Sequence, residues 1–297
     1  MHAPRGPLTI DELMPSGPLR RLGQQVFLHE TIDSTNAFLL ARAATAGDGA
    51  VAWAEFQTAG RGRLGRRWEA PRGSAVLLSV LLHEDEGSPA LALGPMLAAV
   101  AACEAIETAT DCSPAVRWPN DIVLNKRKLG GVLAESCPLL ENMAAQSRGH
   151  ATGPAQSRGH ATAQRRDHAT SRRAVVIGVG INCLQQRAHF SEDLVGKATS
   201  LETESTQPVN RAAIAAGLLA RLDHWLTTAT EGPDGWATLR SAWRAHCQDI
   251  GTRVTLEHDA RAFAGTALDI CENGDVIVEL DEGGRRQFPA TTTIRTW

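Results

Sequence analysis

The spacing of apolar residues divides the chain into a mixed succession of strands and helices. VFLHE (26–30) alternates with a period of two, and AVAWAEF (50–56) is a short apolar run, so both read as strands. Between them, Asp33-Ser34 supplies cap chemistry for a helix through NAFLLARAATAG that Gly47 stops. SAVLLSVLL (74–82) is a long apolar strand. Residues 89–109 form a helix that is apolar nearly all round, the pattern of a buried helix. Short strands follow at AVRW, DIVL and KLGGVLAE, and another at AVVIGVGINC (174–183). Amphipathic helices span 208–229 and 236–247. From Gly251 the pattern changes to short β runs, TRVTLEH, RAFAGTALDI, DVIVEL and RRQFPA, broken by CENG and DEGG.

Strands and helices mix without strict β-α-β alternation, so the pattern predicts an α+β fold rather than a doubly wound sheet. Residues 1–24 read as an irregular lead-in rich in Pro, Gly and Arg, and 25–249 as the main domain. Residues 250–297 read as a small β-barrel domain. Within the main domain, 137–173 is an insertion between two strands. It carries AQSRGHAT at 145–152 and 155–162 and AQRRDHAT at 163–170. The repeats lack hydrophobic periodicity and read as a solvated loop. Their His150, His160 and His168 are the only metal-ligand pattern there, and the bland loop is the preferred reading.

Composition narrows the function. A net charge of −3 offers no basic field for nucleic acid. No run of 18 apolar residues occurs and the N-terminus lacks an apolar signal core, which predicts a cytoplasmic protein without membrane or DNA partners. The six cysteines are scattered, with no metal-finger spacing. Of 30 basic residues only Lys126, Lys128 and Lys197 are lysines, so the pair flanking Arg127 stands out.

Three segments carry chemistry. Gly60-Arg61-Gly62-Arg63-Leu64-Gly65 matches a dinucleotide fingerprint, but Pro71 and Gly73 block the helix that such a site needs. What remains is a glycine-rich loop with Arg61, Arg63, Arg66 and Arg67. It reads equally as a loop closing over phosphate and carboxylate or as a solvated basic loop of the RNA-contact kind. In Arg117-Trp118-Pro119-Asn120-Asp121 and the following Asn125–Gly131, a turn and a short strand deliver Lys128 beside a Gly pair. Lysine there can bridge a carboxylate and a phosphate, or simply tip a surface hairpin. Gly178-Val179-Gly180-Ile181-Asn182 ends an apolar strand with glycines that suit either close ligand approach or tight packing.

Together, DSTN (33–36), EFQTAGRGRLGRRW (55–68), RWPNDIVLNKRKLGGVLAE (117–135) and GVGINC (178–183) resemble the biotin–protein ligases, from about Glu30 to the C-terminus. The resemblance implies a class II synthetase-like catalytic domain, a mixed β-sheet flanked by helices, with a C-terminal SH3-like β-barrel. It implies an enzyme that makes biotinyl-5′-AMP from biotin and ATP, with Mg²⁺ carried by the ATP. Biotin then passes to a lysine of a biotin carboxyl carrier protein, as in acetyl-CoA carboxylase. By position, Ser34, Thr35, Asn36 and Gln57 would line the biotin pocket, joined by Arg61, Gly62, Arg63 and Lys128. Arg61, Arg63, Arg66, Trp68, Arg117, Asn120 and Asn182 would meet ATP or the adenylate, Trp68 packing on adenine. Lys128, Arg63 and Asp121 would be catalytic, Asp121 assisting the acceptor step. Position 117 is Arg where the family often has Lys. The roughly 30 residues before the STN turn imply the monofunctional type without an N-terminal DNA-binding domain. The family includes homodimers, and no exposed strand or heptad decides that here. The rivals are a lipoate or octanoate ligase or transferase of the same fold, whose Arg- and Gly-rich motif ending in His is missing, and a nucleic-acid-binding module using the RGR loop.

Overall fold

The computed structural model describes residues 6–139, 172–230 and 234–296. The repeat insertion, with His150, His160 and His168, lies almost wholly outside them. Seven strands form the main sheet: β1 (Val26–His29), β2 (Val51–Ala54), β3 (Ala75–Asp85), β4 (Ala115–Arg117), β5 (Asp121–Leu124), β6 (Arg127–Pro138) and β7 (Arg172–Asn182). Their order is β1-β2-β3-β7-β6-β5-β4, with only β1–β2 parallel, so the sheet is mixed as the pattern predicts.

Alternation along the central strands assigns each face its task. On β7, Val175, Ile177, Val179 and Ile181 join the core that contains α3 (Ala90–Ala109) and α5 (Arg211–Thr230). Burying each such side chain contributes roughly 1.5–3 kcal/mol. The window Ala92–Ala109 of α3 has a mean hydropathy of 1.3, long and apolar enough to cross a membrane, yet here it is the core helix. On the other face Ala174 and Val176 pack with Leu39 of α2 (Thr35–Ala41), and the strand then turns to Gly178, Gly180 and Asn182. α2 ends six residues before the expected Gly47, because the N–H groups of Thr45 and Ala46 both turn back to the Arg42 carbonyl (2.8 and 2.7 Å). α6 (Gly235–His246) packs against α3 and α5.

The lead-in is more ordered than its composition suggests. Thr9 and Glu12 form a capping box on a single turn, α1 (Ile10–Leu13), and Leu8, Leu13 and Leu22 are buried. Asp223 of α5 accepts the backbone N–H groups of Arg20, Arg21 and Leu22 at 2.7–2.8 Å. A second short helix, α4 (Leu201–Glu204), capped by Ser200, also escaped the periodicity reading, as both are too short to show a period.

The C-terminal unit is a five-stranded sheet ordered β11-β10-β9-β8-β12, with β8 (Arg253–His258), β9 (Arg261–Ile270), β10 (Val276–Leu280), β11 (Arg285–Phe288) and β12 (Ile294–Arg295). β11 and β12 are not paired with each other, so the expected barrel is an open one. It nevertheless curls: the ring of Phe288 on the β11 edge reaches over β10 and sits tilted, 5.0 Å from that of Phe263 on β9. The six cysteines are free, and burial pushes the Cys183 and Cys247 thiols up to about 12, which fits core filling.

An ion pair between α5 and the segment after β2 lies in the interior. Arg211 of α5 meets Glu55 at 2.7 Å, each about 5% exposed, and Glu55 also accepts from Leu8 N (2.9 Å) and the Trp53 indole (3.0 Å). A buried charge left without its partner is costly, so Arg211→Met should lower the free energy of urea unfolding by about 3–5 kcal/mol. A loss under about 1 kcal/mol would mean the pair contributes no more than a surface bridge.

Candidate active site

Above the glycine end of β7 the sheet opens into a cavity of about 420 Å³, within the range of small-molecule sites. Its floor is laid by register. Leu77, Gly180 and Gly131 stand side by side across β3, β7 and β6, and Ser79, Gly178 and Leu133 form the next row. The two β7 glycines are required by what lies over them. A Cβ at Gly178 would sit 2.1 Å from Asn36 Oδ1, and one at Gly180 would sit 2.7 Å from the Trp68 ring. The open choice between ligand approach and tight packing thus resolves toward packing by the chain's own site residues.

Over the row of Ser79, Gly178 and Leu133, polar groups at the start of α2 are locked to one another. Ser34 caps the helix through Ala37 N (3.4 Å). The Thr35 N–H and hydroxyl donate to Gln57 Oε1 at 2.8 and 3.1 Å. Ser79 Oγ lies 2.7 Å from Thr35 Oγ1 and 2.6 Å from Asn36 Oδ1. The Asn36 amide donates to Glu135 (2.9 Å) and the Leu133 carbonyl (3.2 Å), and Glu135 pairs with Arg61 at 3.0 Å. Ser79 and Glu135 were not marked from the sequence. For Ser79 the signal was there, a polar residue on a strand face otherwise buried, whereas Glu135 stands among half-buried neighbours on β6.

The glycine-rich segment closes into a small hairpin rather than an irregular loop. Arg61 bridges Arg67, Gly62 N donates to Arg66 O (2.7 Å), and Trp68 N donates to Gly60 O (3.0 Å). Gly60 is obligatory there, since a Cβ would meet the Trp68 carbonyl at 2.3 Å. At the tip Leu64 adopts a left-handed conformation (φ 55°) and is exposed. Arg63 does not point freely into the cavity. Its guanidinium donates to Asn120 Oδ1 (3.0 Å) and to the Ala290 and Thr293 carbonyls (2.6 and 3.2 Å) between β11 and β12. Burial draws its pKa below the ordinary value, with Asp121 opposing the shift and Arg66 adding to it.

Lys128 owes its position to a turn and a bulge. Asn125 and Lys126 both have positive φ (50° and 63°), the two-residue hairpin turn that asparagine tolerates. The β5–β6 register then shifts between Ile122 and Val123, leaving Leu129 extra, and such a bulge re-aims neighbouring side chains. The Lys128 ammonium binds the Asp121 carboxylate beside Gly131. The chain turns between β4 and β5 through a cis Trp118–Pro119 bond, and the Trp118 indole donates to Gly274 O (3.0 Å), tying this turn to the C-terminal sheet.

Of the residues marked from motifs, all line the cavity except Arg117. That side chain is half-buried away from the wall, where burial and Arg295 lower its pKa and Asp249 opposes them. The segments carrying Asp249 and Arg295 cover that end of the sheet, which sequence spacing could not reveal. Asn182 is present but its amide is committed, accepting from Gln185 (2.9 Å) and donating to Thr199 O (3.0 Å). It therefore holds the overhanging segment that brings Phe190, Leu194, Lys197 and Ala198 to the wall. That overhang, and Ile294 and Arg295 from β12, lie in no motif. Among the described residues no cluster of three His, Cys, Asp or Glu side chains could hold a metal ion.

Comparison with known proteins agrees with this geometry. The model of the biotin/lipoate A/B protein ligase family matches residues 28–146. The bifunctional ligase/repressor BirA of Bacillus subtilis is 30% identical over 278 residues, 91% of this chain and 74% of that one. The chain belongs to the biotin/lipoate A/B protein ligase family. A biotin–[acetyl-CoA-carboxylase] ligase of Mycobacterium tuberculosis is 32% identical, covering 85% of this chain and 81% of its own. The fold is that of the biotin protein ligase from Aquifex aeolicus solved with biotin and ATP (TM-score 0.69, 22% identity, 92% of this chain and 100% of that one).

The floor glycines of this family member give a direct test. Gly178→Ala should leave the fold intact but displace Asn36 and break its 2.6 Å contact with Ser79, abolishing ligand binding at that end of the cavity. Isothermal titration with biotin would read this, and unchanged affinity would show that the row does not shape the pocket.

Proposed function

We propose that this chain is an ATP-dependent ligase that activates biotin as biotinyl-5′-AMP and transfers it to a lysine of a biotin carboxyl carrier protein or domain. One observation carries the reading. A single cavity joins a polar-anchored end at Thr35, Asn36 and Gln57 to a cationic end, and Lys128 stands over the row between them. Biotin is an apolar body with few polar atoms, and the locked network at α2 offers anchors of that kind. Its carboxylate then lies toward Lys128, where attack on the α-phosphorus of ATP forms a P–O bond and breaks the bond to pyrophosphate. Negative charge concentrates at that point, and a fixed ammonium stabilises it electrostatically. Mg²⁺ arrives on the phosphate oxygens and needs no protein cage.

In the second step the acceptor amine attacks the acyl carbon, a C–N bond forms, and AMP leaves as the C–O bond breaks. Asp121 faces Lys128 and is placed to take the amine's proton. Trp68, over Gly180, offers a ring for adenine. Arg63 ties the hairpin to Asn120 and the 290–293 turn, which keeps water from the mixed anhydride. The carboxylase named for the mycobacterial relative supports a carrier domain as the acceptor. The lipoate alternative is disfavoured by the biotin-specific relatives, and a nucleic-acid module by the net charge of −3.

ATP–pyrophosphate exchange should occur with biotin and Mg²⁺ and not with lipoate or octanoate. Exchange with lipoate alone would move the enzyme to the sister activity. Lys128→Ala should slow adenylate formation by two or more orders of magnitude, about the effect of removing one preorganised charge donor. An unchanged single-turnover rate would remove Lys128 from the mechanism. Arg63→Ala should form the adenylate but release it faster into solvent, read by filter retention of labelled biotinyl-5′-AMP. Normal retention would show that the tether to 290–293 does not guard it.

A further inference from the structure

The cavity wall carries seven cationic side chains against three carboxylates, in a chain whose net charge is −3. Most of those cations are already engaged inside the protein. Arg61 pairs with Glu135 (3.0 Å), Arg67 with Glu69 (3.5 Å), Arg295 with Asp249 (3.4 Å) and Lys128 with Asp121. Arg63 is held by Asn120 and the Ala290 carbonyl. Arg66 and Lys197 stand outside these pairs. Arg66 belongs to the glycine-rich motif, whereas Lys197 belongs to none.

The position of Lys197 is built rather than incidental. Its carbonyl accepts from Lys128 N (2.7 Å), and its own N–H donates to Leu194 O (2.9 Å) after a turn at Gly196 (φ 85°). The committed amide of Asn182 and the Ser200 hydroxyl on Gln185 O (2.5 Å) anchor both ends of this overhang. Ala198 bridges Lys128, while Asn36 reaches Leu133 and Glu135 on β6. At ~3.3 Å per residue the overhang lies roughly 17–23 Å along the strand from the polar anchors. Lys197 thus sits beside Lys128, at the end of the cavity away from the biotin anchors. The ammonium is exposed, and Asp193, the carboxylate sharing its rim, forms no ion pair with it.

We propose that Lys197 binds the β- and γ-phosphates of ATP, the part that leaves as pyrophosphate. This rests on the ligase reading above. A compact ammonium outside any internal pair contributes its full attraction to an incoming polyanion, whereas Lys128 must share its charge with Asp121. The side chain is exposed, so its replacement leaves the fold unchanged.

The test is biotin-dependent ATP–pyrophosphate exchange by the full chain and its Lys197→Met and Lys197→Arg variants. Lys197→Met should raise KM for both ATP and pyrophosphate about tenfold or more, the scale of one charge-assisted contact. KM for biotin should stay constant, and Lys197→Arg should restore most of the loss. Transfer from chemically prepared biotinyl-5′-AMP to an acceptor, which involves no pyrophosphate, should keep its rate. Unchanged KM values for ATP and pyrophosphate would overturn the assignment. Parallel losses in biotin binding or in adenylate transfer would overturn it too, by showing a general disturbance. Absence of exchange in the unsubstituted enzyme would instead defeat the ligase reading, and this assignment with it.

Discussion

Everything at the site rests on the register of β3, β7 and β6. With Ser79, Gly178 and Leu133 in one row and Leu77, Gly180 and Gly131 in the next, the floor is flat where Asn36 and Trp68 descend onto it. A slip of one residue would exchange Gly178 and Gly180 for Val179 and Ile181 and expose the helix-packing face. The apolar partners of α3 and α5 therefore do two things at once. They bury the core, and by doing so they hold the bare backbone on the opposite face under the cavity.

On that floor, preorganisation comes from polar groups bonded to one another. Gln57, Thr35, Ser79, Asn36, Glu135 and Arg61 form a continuous chain across two strands, a helix and the glycine-rich hairpin. Donors arranged this way need little reorganisation when charge develops. The C-terminal sheet takes part from the other side. Its 290–293 turn receives Arg63, Gly274 receives the Trp118 indole, and Arg295 reaches the wall. The turn is itself braced by Asp275, which accepts from Ala290 N at 3.0 Å. The C-terminal sheet is thus part of the active-site wall.

The large elements were legible because their patterns are long. The apolar run of β3 and the all-round apolar helix α3 sit where the periodicity puts them, and the α+β class follows. Short or context-dependent features were not legible. α1, α4 and β12 span four, four and two residues, too few for any period to appear. α2 stops early because buried Ala43 and Ala46 are drawn under Leu81, a tertiary demand that local propensity does not carry. Arg117 fits its motif by position, but the Asp249 and Arg295 segments cover it.

What the sequence alone determined was the fold class, the family and the set of short motifs that converge on one cavity. Those are properties of periodicity and of local residue identity, which spacing along a chain records. Tertiary structure decided which charges are free. It commits Arg63 to the C-terminal carbonyls, Asn182 to the overhang and Lys128 to Asp121, and it leaves Lys197, from no motif, on the wall beyond them. Whether a charge is available depends on which group lies within about 4 Å of it. That partner commonly comes from a segment distant in sequence.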